Sequence, residues 1–208
     1  MCAHSSSDEG GSLTGVIVAG AVSVVVGVAL CVAVMVLTPV PIVKARPADA
    51  AAGAVVYISG TADRSRGADW QGKERDFIAG TSVKVVEDEL NLAAAAQTKP
   101  DAASAPLNFR IRDGVFQVGT PLTIPGLGQT VIFQARGGFA RHGDRFALDA
   151  HEVYLGACPL HRLPGAAGLV MNRIGASART SLPAEFQAAW SRLTSVSIEG
   201  DTLQLASQ

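Results

Sequence analysis

The chain has 208 residues, 48% of them hydrophobic, 17% charged and 5% aromatic, with 22 Gly, 10 Pro and 3 Cys. Its 17 Lys and Arg nearly cancel 18 Asp and Glu, leaving a formal charge of -1. No large single-sign field exists to draw it onto nucleic acid, so that partner class is excluded. The three cysteines, Cys2, Cys31 and Cys158, fall in the N-terminal tail, an apolar block and the body, and make no disulfide framework.

A polar tail over 1–12 precedes the block, and the membrane helix is assigned to 13–38. From Val16 to Leu37 the chain reads VIVAGAVSVVVGVALCVAVMVL without a charge, and crossing the hydrocarbon core takes about 20 residues at a rise of about 1.5 Å each. Valine is a poor helix former in water, but in lipid every backbone polar group must be bonded within the segment, so a helix is the expected outcome. Thr38, Pro39 and Pro41 end it. A cleaved signal peptide competes, since Ala48-Asp49-Ala50 has a small-x-small look. The run is too long for a signal core, however, and Met1 to Ser12 holds no Lys or Arg, so a signal anchor is favoured. All Lys and Arg follow the helix, which votes weakly for a cytoplasmic body. Long domains cross largely regardless of charge, so the expectation is a single-pass membrane protein with its main domain extracytoplasmic. Along the helix Gly15, Ala19, Ser23, Gly27 and Cys31 recur every four residues, a small-residue face on which a second copy could pack as a homodimer.

Residues 39–53, with KARPADAAAG, read as a linker, and 54–208 as one α+β domain. Trp70, Phe77 and Ile78 share one face of an amphipathic helix over Ala68 to Gly80. A short strand follows from Ser82 to Val86, and Glu87-Asp88-Glu89 open an alanine-rich helix, EDELNLAAAAQ. Three adjacent carboxylates resemble a metal site, but first-turn charge complementing the helix dipole is the commoner reason for them, and no His is near. After a break at QTKPDAASAP the period changes to two. Leu107, Phe109 and Ile111 alternate up to Asp113-Gly114, with Phe116 and Val118 continuing. Gly143-Asp144 separates Phe139 from Phe146 and Leu148, and Gly200-Asp201 separates Val196 and Ile198 from Leu203 and Leu205. These hairpins predict a curved antiparallel sheet, its apolar face covered by the early helices and by helices within Gly165 to Ile174 and Pro183 to Leu193.

The usual marks of an enzyme are missing: the sequence has no phosphate loop, C-x-x-C, H-E-x-x-H or G-x-S-x-G. The body's histidines are His142, His151 and His161. Cys158 and His161 within CPLHR are the sharpest catalytic candidates, yet they have no third partner, and a buried small hydrophobe is the commoner role for such a cysteine. Arg110, Arg112, Arg136, Arg141 and Arg145 could meet phosphate headgroups, but Asp113, Asp144 and Asp149 dilute them and a solvated face accounts for them better. PLTIPGLGQ, Pro121 to Gln129, is either a rim loop or a wide turn.

The order of anchor, EDELN helix and hairpin meander resembles single-pass bacterial envelope proteins with an AsmA-like or tubular lipid-binding half-barrel domain. The likeness covers texture over 13–208, with Glu87 to Asn91 as its one local motif. It implies a bent sheet with an apolar groove, for which Phe109, Ile111, Phe116, Phe133 and Phe139, with Val131, are the candidate lining. The expectation is therefore a non-enzymatic, membrane-anchored binding module for lipid or an apolar partner segment, with no cofactor, metal or catalytic residue. The alternative is a structural or assembly protein of the envelope that acts through its membrane helix and protein contacts.

Overall fold

The computed structural model describes residues 13–49, 51, 53–97, 107–124 and 126–207, with side-chain surroundings for all of these except 13–16 and 177–181. It is an α+β protein led by an apolar helix, as the periodicities predict. The helix, α1, runs from Leu13 to Leu37, and within it Ile17–Leu37 is long and apolar enough to cross a membrane. Thr38 closes it, its N–H and Oγ both donating to Val34 O (2.9 and 2.7 Å), and Pro39 cannot continue it.

Four consecutive hairpin connections build the larger sheet, with strands in the order β4 (Asn108–Arg112), β5 (Val115–Thr123), β6 (Thr130–His142), β7 (Arg145–Leu155) and β8 (Cys158–Pro159), all antiparallel. The two-residue turns fall where the sequence places them. Asp113 and Gly114 both have positive φ (53° and 76°), the pattern of the turn that matches strand twist. A smaller antiparallel sheet has the order β3 (Val83–Val86), β10 (Thr202–Ser207), β9 (Leu193–Glu199), the last two joined at Gly200-Asp201. The two turn tips are tied together: Gly114 N–H donates to Gly200 O (3.0 Å), and Arg112 pairs with Asp201 (2.6 Å).

The apolar faces find their cover in helices α2 (Trp70–Ile78), α3 (Glu87–Gln97), α4 (Ala166–Ser181) and α5 (Ala184–Ser191). One core cluster joins the two sheets to α2 and α5 through Phe77, Val85, Ile111, Phe116, Leu193 and Leu203. A second, around Phe133, Ala135, Val153, Cys158 and Leu160, is covered by α4 and by Val32 and Val36 of α1. The opposite face of β6 is covered by the segment expected to be a linker. Within it Ile42–Val43 forms a short strand, β1, parallel to β2 (Tyr57–Ile58), and Val40 and Tyr57 pack on Ile132. Hence every residue from Val131 to Ala135 is buried, although successive side chains point to opposite faces.

Candidate functional site

The residues expected to line a groove lie in the interior. Ile111 and Phe133 are fully buried, and Val131 and Phe116 nearly so. Phe109 and Phe139 pack against the first cluster, where a chain of tilted ring contacts links Phe109, Phe116, Phe139 and Trp190 at 5.1 to 6.2 Å. Phe133 belongs to the second cluster. The set is therefore divided between two cores instead of facing one cavity. A surface depression of about 330 Å³, bordered by Gly80, Arg141, Arg192 and Ser207 among others, includes none of them.

Cys158 is 1% exposed, and burial pushes its thiol above the ordinary range, the reverse of what a nucleophile needs. His161 Nδ1 lies 3.1 Å from Val153 O and 3.3 Å from Val153 N, and its ring stands edge-on to Tyr154, so it is held by β7. His142 and His151 are exposed. Several of the arginines meet local partners: Arg112 pairs with Asp201, Arg136 with Glu152 and Gln117, and Arg145 with Asp144, while Arg141 covers the ring of Phe146.

The EDELN segment is a buried polar joint. Every residue of it is buried except Leu90, which packs against the first cluster. Glu87 Oε1 accepts from Thr61 N–H and Oγ, and its Oε2 accepts from Ile111 N–H (3.0 Å). Asp88 Oδ1 accepts from Asp63 N–H and shares the single Thr61 hydroxyl proton with Glu87, and its Oδ2 faces Arg66 at 3.3 Å. Glu89 reaches back to Val86 N–H, half of a capping box, and pairs with Lys73 at 2.6 Å. Asn91 donates to Thr61 O (2.7 Å) and Phe109 O (2.8 Å) and accepts from Phe109 N–H (2.7 Å). The three carboxylates thus serve separate backbone and cationic partners, and among the described residues no group of three His, Cys, Asp or Glu is placed to hold a metal. The motif's target is the outer edge of β4. Its N–H groups at Phe109 and Ile111, two residues apart on one side, would otherwise face no strand, and Asn91 and Glu87 satisfy them. The chain before α2 is bound into the same network: Gly60 N–H and Tyr57 OH both donate to Asn108 Oδ1, and Gln117 donates to Ile58 O.

The second constructed feature is the junction of α1 with the body. A helix ends with four unpaired carbonyls, and here the body caps two of them. Ala157 N–H donates to Met35 O (2.9 Å), and Gln129 Nε2 donates to Leu37 O (3.2 Å). Gly156 makes the approach possible, because its φ is 57° and a Cβ there would collide with Val36 O. Sequence reasoning did not reach Gly156 or Ala157, and met Gln129 only as the end of a rim loop or wide turn. The only signal was a glycine between two strands within CPLHR's approach, LGAC, which reads equally well as a plain turn. On the expected helix-association face, Ala19, Ser23, Gly27 and Cys31 are exposed and no atom stands near where a Cβ on Gly27 would lie. The side-chain surroundings of Gly15 fall outside the described residues. No known protein family matches this sequence, and neither a curated protein nor a solved structure matches the chain.

Proposed function

We propose that the chain is a single-pass, non-enzymatic membrane protein with an extracytoplasmic body, acting as a structural or assembly component of the cell envelope through its helix and its surface contacts. One observation carries this reading over that of a lipid carrier: Phe109, Ile111, Phe116, Phe133 and Phe139 are used to fill two cores, which leaves them unable to receive an acyl chain without unpacking. The capped helix end adds to it, since a body bonded to its anchor is suited to holding a fixed position at the membrane. Cys158 supports the non-enzymatic part, being a buried thiol that resists ionisation.

The test uses the full-length chain. Protease added to intact spheroplasts should remove the body. Native mass spectrometry after delipidating extraction should then show protein without retained lipid, as a dimer that Ser23→Leu with Gly27→Leu converts to monomer. Stoichiometric lipid surviving that extraction would restore the carrier reading, an unchanged oligomer would discard the helix face, and a protected body would reverse the topology.

A further inference from the structure

Accepting that α1 crosses a bilayer, we propose that one face of the body, made by α4, the turn Gly126 to Gln129 and the segment from Thr38 to Arg46, rests on the anionic headgroup surface of that same membrane. The location follows from the junction. Val32 and Val36 pack on the cluster that α4 covers with Ala166, Ala167, Val170, Met171 and Ile174. The body therefore stands beside the last turns of the helix instead of above its end. The helix has 25 residues, about 37 Å at 1.5 Å each, whereas the hydrocarbon core is about 30 Å thick. The 21 residues from Ile17 to Leu37 alone are about as long as that core is thick, so the last turns, where Val32 and Val36 meet the body, lie at its edge. Elements flanking that stretch must then lie at the boundary of headgroups and acyl chains.

Their chemistry fits that position. Leu169 is 74% exposed, Leu127 64% and Ile42 60%, each on an element that flanks the exit of the helix. On α4 the inward face is taken by Val170, Met171 and Ile174, and Leu169 shares the outward face with Arg173, four residues on. An apolar side chain with a cation one turn away is the pattern of a helix lying in an interface. Charge agrees over a wider region. Of the chain's 18 acidic residues, none falls in Thr38–Ala48, Gly119–Gln134 or Gly156–Ser181, while these stretches carry Lys44, Arg46, Arg162, Arg173 and Arg179. The near-neutral total conceals these acid-free stretches, whose exposed cations suit phosphate headgroups.

The experiment places single reporters on the intact chain in nanodiscs of 7:3 phosphatidylcholine and phosphatidylglycerol whose acyl chains are brominated near the headgroup. Leu169→Trp and Leu127→Trp should add fluorescence that the bromines quench at least about twofold more than that added by Val115→Trp, at the far end of β5. Lys44→Glu with Arg162→Glu should lower the quenching at both positions. Equal quenching at all three sites overturns the proposal, and quenching indifferent to the charge reversals overturns its anionic component. Failure of the underlying membrane reading is separate: alkaline carbonate would then release the full chain from membranes, whereas a body held off the surface leaves it in the pellet.

Discussion

Asn91 answers three backbone groups with one side chain, and it does so in a buried setting where water cannot substitute. Asn91→Ala leaves Phe109 N–H, Phe109 O and Thr61 O short of partners, and a buried orphan costs about 1 to 3 kcal/mol. Partial relaxation should hold the total to about 3 kcal/mol, readable as a lower denaturant midpoint. An unchanged midpoint would mean that the EDELN joint does not hold β4. Tyr57 offers a test by pH. Burial pushes its phenol up to about 12, and its OH donates to Asn108, which also favours the protonated form. An unfolded tyrosine titrates near 10, so the folded state gains from the bound proton. This contribution is complete below pH ~10 and is lost as the pH rises from ~10 toward ~12. Tyr57→Phe should flatten that part of the stability profile, and a profile of unchanged steepness would assign the alkaline loss to other groups.

At the level of elements, the joint between α1 and the β7–β8 turn depends on a backbone that only glycine adopts easily. Gly156→Ala combines a left-handed φ, worth about 1 to 2 kcal/mol, with a collision against Val36 O. The turn should withdraw, freeing Met35 O and loosening the chain after Thr38. Trypsin cleavage after Lys44 in detergent should rise severalfold, and an unchanged rate would show the joint intact. The hairpins were legible because Asp-Gly and Gly-Asp demand particular turns and their flanks alternate, and the helices because Phe77, Trp190 and their neighbours keep a helical period. What could not be read were pieces too short for any period: β1 and β2 have two residues each, so residues 39–53 pass for linker although Val40 packs on β6 and β1 pairs with β2. EDELN showed its capping chemistry in sequence, Glu89 to Val86 included, but not that Glu87 and Asn91 seal a sheet edge, because that partner lies 17 to 24 residues further along the chain.

For the molecule as a whole, alternation identified apolar side chains but not which core they enter. Phe133 and Phe139 lie on the same strand yet pack in different clusters, because β6 is long enough to pass from one core to the other. That division is why a groove expected from texture becomes solid interior. The capped end of α1 has a mechanical consequence. With Met35 O and Leu37 O bonded to the body, no swivel separates α1 from the sheet. β6 departs from this point at Thr130 and runs 13 residues, roughly 40 Å at a strand's rise. A rotation of α1 is thus delivered to the sheet as through a drive shaft, and the few degrees of it that swing β6 become an ångström-scale sweep at the distant Gly143 tip.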